Sequence, residues 1–189
     1  MSRPLVVIVT GPAAAGKTVL GERLAEALKL PFINKDEFKE ILFDTLGWDN
    51  RQCFEPLDAA SFEMVFHVLE SQLQAGKSVV VETAFVPQDH TARFLDLRDA
   101  YDYEPVQILC DADEEILFRR FRGRIESGER HPGHADHLTS YAQFTELLRE
   151  RGYGALNIGG LLIEIDMAGF DAVDVEDLVR AIRKRSRGR

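Results

Sequence analysis

Cysteine is scarce in this sequence of 189 residues. Cys53 and Cys110 are the only two, and neither belongs to a C-x-x-C pattern. Two free thiols are typical of a protein in a reducing cytoplasm, which is the location that we expect.

Long apolar runs are also absent. The run at residues 5–10 is far shorter than the roughly 20 apolar residues that a membrane span needs. It leads into a glycine-rich segment and does not resemble a secretory signal. Positive charge is in deficit as well, with a formal net charge of −9. This charge disfavours extended nucleic-acid binding without excluding a local basic groove, and we expect no membrane partner.

A phosphate-binding motif of the form G-x-x-x-x-G-K-[ST] occupies residues 11–18. Its glycines let backbone N–H groups approach phosphate oxygens, Lys17 can reach the β- and γ-phosphates, and the Thr18 hydroxyl can ligate Mg²⁺. The run at 5–10 predicts a buried strand before the loop, and apolar spacing over 19–28 predicts a helix after it. We expect a nucleoside triphosphate to contact Gly11, Pro12, Ala13, Ala14, Ala15, Gly16, Lys17, Thr18 and Val19.

Apolar runs alternate with helical patterns along the chain, which indicates an α/β fold with a parallel sheet. The length fits one domain, residues 1–189. We predict a three-layer P-loop NTPase sandwich with helices on both faces of the sheet. The five predicted strands are 5–10, 31–33, 78–82, 105–110 and 161–166. Further predicted helices are 35–46, 57–75, 114–126 and 175–185, with a surface loop at 152–160.

A polar segment, residues 34–39, follows the second predicted strand directly and contains Asp36 and Lys39. Ligands of open α/β sheets gather at the carboxyl ends of the strands, so Asp36 is expected on the rim that carries the phosphates. Its carboxylate can accept a hydroxyl proton from the acceptor or hold a Mg²⁺-bound water. The alternative is that Asp36 is a helix N-cap with Lys39 on the solvated face, and the two interpretations are compatible.

Glu82 ends a Val-Val-Val strand, where P-loop proteins usually place an acidic residue near the metal. Direct Mg²⁺ ligation, ligation through water and general-base catalysis are all open for this carboxylate. The alternative is a structural salt bridge.

An arginine-rich segment, approximately 119–137, is predicted to form a lid over the site. Arg120 and Arg124 share one helical face, and Arg130 follows after a glycine. Arginines on a mobile segment can stabilise the charge of a phosphoryl group in transfer and exclude water. The alternative is a solvated charged helix with Glu126 and Glu129 as partners.

Three histidines in this segment, His131, His134 and His137, are spaced by threes. The spacing matches no closed zinc site, and Pro132-Gly133 breaks any helix that would align the rings. We therefore expect these side chains to supply polarity or a substrate contact.

With these residues in place, the chain resembles small P-loop kinases of the nucleoside-monophosphate-kinase-like group, often labelled AAA-type ATP-binding proteins. It is similar to zeta toxins, chloramphenicol phosphotransferase and polynucleotide 5′-kinases. The resemblance implies ATP and Mg²⁺ as cofactors, Asp36 as the base on the acceptor hydroxyl and Lys39 as a substrate contact in place of Arg. Arg120 and Arg124 match the R-x-x-x-R at the lid's entry, whereas Glu82 replaces the more usual Asp.

The expected function is a kinase that transfers the γ-phosphate of ATP to a hydroxyl of a small molecule. Lys17, Asp36, Arg120, Arg124 and Arg130 are its candidate catalytic residues. Thr18 and Glu82 are the candidate metal ligands. A 5′-hydroxyl polynucleotide or RNA-repair kinase and an ATP-hydrolysing switch are the alternatives. Either a monomer or a homodimer is compatible with the sequence.

Overall fold

The computed structural model describes residues 3–48, 54–134, 140–169 and 173–187, and these ranges contain one parallel sheet of five strands. Because the strands run parallel, their carboxyl ends lie along one edge, where the loops that follow can form a site. Along the chain the strands are β1 (Leu5–Thr10), β2 (Phe32–Asn34), β3 (Val79–Glu82), β4 (Glu104–Asp111) and β5 (Leu161–Asp166). Across the sheet their order is β2-β3-β1-β4-β5.

Helices pack on both faces of this sheet, as predicted. In the described ranges the α-helices are α1 (Lys17–Leu28), α2 (Lys35–Leu46), α3 (Phe54–Gln74), α4 (Pro87–Tyr101), α5 (Glu114–Glu126), α6 (Tyr141–Arg151) and α7 (Val175–Arg187). Side chains of β1 alternate between two apolar clusters: Ile8 lies with α3 and α4, and Val7 lies with α1, α5, α6 and α7.

Most predicted elements are present with small shifts at their ends. The strand at 161–166 and the helix at 114–126 have the predicted bounds, and α3 begins three residues before the predicted position 57. The predicted loop at 152–160 is also observed, outside helix and strand. Gln107 of β4 holds this loop through two hydrogen bonds with the Leu156 backbone, at 2.8 and 3.0 Å.

Two helices were not predicted, α4 and α6. The periodicity of α4 is weak because it buries little apart from Phe94 and Leu97. A capping box starts α6, in which the Ser140 side chain accepts from the Gln143 N–H and Gln143 bonds back to the Ser140 backbone. The S-x-x-Q spacing of this box is the sequence signal that marks the helix start.

None of the described helices combines the length and the apolar character required to cross a bilayer. Cys110 is a free and buried thiol, whereas Cys53 lies outside the described residues.

Candidate active site

The phosphate loop connects β1 to α1, and its backbone requires glycine at two positions. Gly11 has φ of +134°, and a Cβ there would lie 1.9 Å from the Cys110 carbonyl oxygen. Gly16, the N-cap of α1, has φ of +86°. These conformations place the loop at the N-terminus of α1, where N–H groups and the helix dipole favour an anion.

Lys17 is buried at the start of α1 and folds back onto the loop. Its Nζ donates to the Pro12 carbonyl oxygen at 2.7 Å and lies 4.0 Å from Glu82 Oε1. Burial lowers the pKa of Lys17, and the Glu82 carboxylate partly opposes this. Val19, predicted as a nucleotide contact, lies in the first turn of α1, two residues after Lys17, and is 44% exposed.

Glu82 lies at the end of β3, next to the phosphate loop, as predicted. Its Oε2 accepts from the Thr18 hydroxyl at 3.1 Å and from Asn34 Nδ2 at 3.0 Å. Burial raises the pKa of Glu82, and Lys17 acts in the opposite direction. Thr18 and Glu82 thus present hard oxygen donors side by side, the donor type that Mg²⁺ prefers, so the residues fit a magnesium ion.

Asp36 lies in the first turn of α2, but it is not the helix cap. Asn34 is the N-cap, and its Oδ1 accepts from the backbone N–H groups of Asp36 at 2.7 Å and Glu37 at 3.4 Å. The N-cap interpretation of Asp36 is therefore wrong, since a residue of the preceding strand supplies the capping oxygen. The Asp36 side chain instead points to Arg130, with 3.6 Å between Oδ2 and the guanidinium.

The electrostatics around Asp36 keep its carboxylate ionised. Burial alone would raise the pKa of Asp36, but neighbouring groups outweigh burial and the pKa lies below its ordinary value. The largest of these effects comes from His134, followed by Arg130, Lys35 and Lys17. Lys17 and Arg130 are both among these neighbours, so Asp36 is within electrostatic reach of the phosphate loop.

Lys39 is buried. The alternative interpretation, which placed Lys39 on the solvated face of its helix, is therefore wrong. Lys39 Nζ is 2.6 Å from Asp58 Oδ1, and Lys35 Nζ is 2.7 Å from the same oxygen. Lys39 is 3% exposed because α3 covers this side of α2. Burial alone would raise the pKa of Asp58, but the two ammonium groups outweigh it and hold the pKa at about 2. Sequence patterns did not indicate Asp58; two lysines one helical turn apart were the available signal.

The three predicted lid arginines occupy different places. Arg130 reaches Asp36, whereas Arg120 donates to the carbonyl oxygens of Met167 at 2.8 Å and Ala168 at 3.1 Å, after β5. Arg124 is exposed on α5. Of these side chains, the structure brings Arg130 to the candidate site. A common lid role for all three stays a prediction.

The histidines after Arg130 pack onto α2. His134 Nε2 lies 3.0 Å from Glu40 Oε1, and His131 Nε2 lies 3.1 Å from Asp44 Oδ1. His137 lies outside the described residues. Across the ranges that the structure describes, no cluster of three or more His, Cys, Asp or Glu side chains could hold a metal ion.

A cavity of about 390 Å³ adjoins the phosphate loop at Pro12. Its wall includes Asp113 at the start of α5, with Arg149 and Tyr153 at the end of α6 and beyond. Burial raises the pKa of Tyr153, and the Asp58 charge contributes to the rise.

A family model described as an AAA domain matches residues 6–148, which include the phosphate loop, Asp36, Glu82 and Arg130. The chain belongs to this AAA domain family. A solved structure from Chloroflexus aurantiacus J-10-fl, described provisionally as a kinase, is similar to this AAA domain protein over 100% of this chain and 98% of that one. It has 34% identity and a TM-score of 0.86.

More distant matches carry less information about this AAA domain protein. The shikimate kinase of Bacteroides fragilis is 29% identical over 117 residues, so the chain spans only 61% of that curated relative. The APS kinase of Mycobacterium tuberculosis, solved with AMPPNP and APS, shares the fold at 14% identity, with a TM-score of 0.59 and 97% of each chain covered. Together the matches confirm the resemblance to small P-loop kinases and the fold class. They do not bear on the arginine-rich lid.

Proposed function

We propose that the protein is a Mg²⁺-dependent kinase that transfers the γ-phosphate of ATP to a hydroxyl group of a small molecule. The observation that carries the proposal is the position of Asp36. This ionised carboxylate lies within electrostatic reach of Lys17 and next to Arg130. Such a group can orient the nucleophile that attacks the γ-phosphate, and in a kinase that nucleophile is an acceptor hydroxyl rather than water.

The phosphate loop holds the triphosphate through its backbone N–H groups and the N-terminus of α1. Lys17 exchanges the Pro12 carbonyl oxygen for oxygens of the β- and γ-phosphates, where its charge offsets theirs. Thr18 and Glu82 would hold Mg²⁺, which would supply positive charge that offsets the negative charge developing during transfer.

Asp36 orients the acceptor hydroxyl in line with the γ-phosphorus. The hydroxyl oxygen forms a bond to phosphorus while the bond to the ADP oxygen breaks, and the hydroxyl proton passes to the Asp36 carboxylate. A carboxylate with a low pKa is a weak base, so positioning is its larger contribution. Arg130 lies where it can stabilise charge on the transferring group.

We assign the acceptor to the side of the phosphate loop that carries Asp36 and the Lys35–Lys39–Asp58 cluster. The cavity beside Pro12 also has the size of a small-molecule site, and it is lined by the end of β4, which lies across β1 from β2 and Asp36. The net charge of −9 argues against a polynucleotide acceptor, because it repels an extended phosphate backbone.

The test is ADP production from ATP and Mg²⁺ across hydroxyl acceptors: nucleosides, aminoglycosides, phenicols, sugars, nucleotide-sugars and a 5′-hydroxyl oligonucleotide. We expect ADP to appear with one class of small acceptor, the phosphorylated product to be seen by mass spectrometry, and Lys17→Ala to abolish both. Slow ADP release that ignores every acceptor would favour the switch. Transfer to the oligonucleotide alone, falling steeply with salt, would favour the polynucleotide kinase.

A further inference from the structure

Three carboxylates form a row along one face of α2. Asp36, Glu40 and Asp44 are each four residues apart, and this spacing places them on the same side of the helix. We call Asp36, Glu40 and Asp44 the acidic row. The first of its members is the candidate acceptor-orienting residue, and the other two extend away from the phosphate loop.

Residues 130–134, which we call the docking segment, supply one partner side chain to each carboxylate of the acidic row. Arg130 lies 3.6 Å from Asp36. His134 Nε2 lies 3.0 Å from Glu40 Oε1, and His131 Nε2 lies 3.1 Å from Asp44 Oδ1. Three consecutive carboxylates of the row therefore each have a partner in the docking segment.

The backbone of the docking segment is fitted to α2 as closely as its side chains are. A Cβ on Gly133 would lie 2.6 Å from the ring of Phe43, so a larger residue would push the segment off the helix. Phe43 is buried and stacks with His131 at 5.3 Å between ring centroids. His134 meets the same ring edge-on, at 5.4 Å. An apolar ring thus anchors the segment between its polar contacts.

His134 acts in this contact as a neutral hydrogen-bond donor. The side chain is 4% exposed, and burial lowers the pKa of His134 to about 3. Its Nε2 faces a carboxylate oxygen, so the single ring proton is on that nitrogen and is donated to Glu40. A directional hydrogen bond of this kind fixes position more than it adds attraction.

We propose that Glu40 and His134 are a positioning pair, which holds the docking segment in register on α2 so that Arg130 reaches Asp36. The proposal rests on the proposed function, because it gives the Arg130–Asp36 contact a task in phosphoryl transfer. Glu40 and His134 hydrogen-bond to each other between α2 and the docking segment, and we place their effect on transfer in the position of Arg130.

The kinetic test uses Glu40→Ala and Glu40→Gln, with Glu37→Ala as the matched control on an exposed part of the same helix. Glu40→Ala is expected to lower kcat about 10- to 100-fold with little change in the KM for ATP, since a displacement of roughly 1 Å can cost about 100-fold. Glu40→Gln keeps an oxygen for the His134 proton and should recover most of the loss.

A double-mutant cycle separates positioning from general damage. In the Arg130→Ala background, Glu40→Ala should have no further effect on kcat, because the group that it positions is already gone. Independent, multiplicative losses would overturn the proposal, as would a Glu40→Ala variant with unchanged kcat. Unfolding curves check that each variant is folded.

Trp48 supplies a readout that does not depend on activity. It is the single tryptophan of the chain, it is 46% exposed, and its ring centroid lies 6.0 Å from that of His131. Loss of docking in Glu40→Ala or His134→Ala should change the acrylamide quenching of its fluorescence, and Glu37→Ala should not. Unchanged quenching would overturn the docking contact even if no acceptor were found. Changed quenching in an enzyme without any acceptor would instead count against the proposed function alone.

Discussion

Asn34 links Glu82 to the start of α2 through one side chain. Its Nδ2 donates to Glu82 Oε2 at 3.0 Å, and its Oδ1 accepts from the Asp36 N–H at 2.7 Å. The two residues Asn34 and Glu82 are also register partners in the sheet, at the ends of β2 and β3. The same amide therefore orients the candidate metal ligand and starts the helix that carries the candidate acceptor-orienting residue.

Asn34→Asp should keep the helix cap and damage the metal site. A carboxylate still accepts the α2 N–H groups, but it cannot donate to Glu82 and adds a like charge beside it. Binding of Mg²⁺·ATP should weaken, and the unfolding free energy should fall at neutral pH, because the new carboxylate and Glu82 are both buried. Asn34→Ala should in addition lose about 1 kcal/mol of stability with the cap.

Calorimetric titration of ATP with and without Mg²⁺, together with urea unfolding, measures both effects. Asn157→Asp makes the same chemical change on an exposed loop and serves as control. Wild-type Mg²⁺·ATP affinity in Asn34→Asp would contradict the role given to the amide donor.

Asp36→Asn should lower kcat by roughly 10²- to 10⁴-fold, the usual contribution of a positioned acid–base group. Affinity for ATP should stay nearly constant, because Asp36 faces Arg130 and the acceptor side of the site. Steady-state kinetics with the identified acceptor and direct ATP titration give the two quantities. The exposed Asp96 of α4, changed to Asn, is the control. Full turnover in Asp36→Asn would remove Asp36 from the mechanism.

Asp58→Asn should destabilise the protein at neutral pH, because it leaves two buried ammonium groups without their shared anion. Lys35 and Lys39 outweigh burial and lower the pKa of Asp58 to about 2, against 3.8 for an unperturbed aspartate side chain. This difference corresponds to about 2 kcal/mol of stability. A carboxyl with a depressed folded-state pKa contributes that stability above pH 3.8 and loses it as the pH falls towards 2.

Urea unfolding at several pH values between 7 and 3 measures this dependence. The difference between wild type and Asp58→Asn should be largest at neutral pH and should shrink below pH 4. Glu63→Gln, which breaks the exposed pair with Arg93, should change stability by less than about 1 kcal/mol. A pH-independent difference for Asp58→Asn would show that charge pairing is not its cause.

Gly11→Ala should destabilise the fold by at least about 2 kcal/mol, since the new Cβ would lie 1.9 Å from the Cys110 carbonyl oxygen. Gly123→Ala is the matched control: it lies inside α5, and no atom comes within 4 Å of the added Cβ. That substitution should stabilise the protein by roughly 0.5–1 kcal/mol through helix propensity. Denaturant midpoints compare the two, and equal midpoints would refute the steric argument.

Local patterns explain which elements were predictable. The loop at 11–18 is defined by residue types at fixed spacing, and α5 shows regular helical periodicity, so neither depends on distant parts of the chain. In contrast, α4 buries little apart from Phe94 and Leu97. Two apolar positions among polar residues do not form a helical repeat that can be detected in the sequence. The capping box of α6 was a readable signal that periodicity alone does not detect.

The sequence by itself determined the phosphate loop, the parallel α/β fold and the strand-end placement of Asp36 and Glu82, because spacing and apolar periodicity are local properties. Only the tertiary structure decided how side chains far apart in the chain meet. Asn34 caps α2 and orients Glu82, Asp58 holds two lysines, and Arg130 rather than Arg120 reaches Asp36. Such contacts depend on how helices pack on the sheet, and packing arises from the shapes of many side chains together.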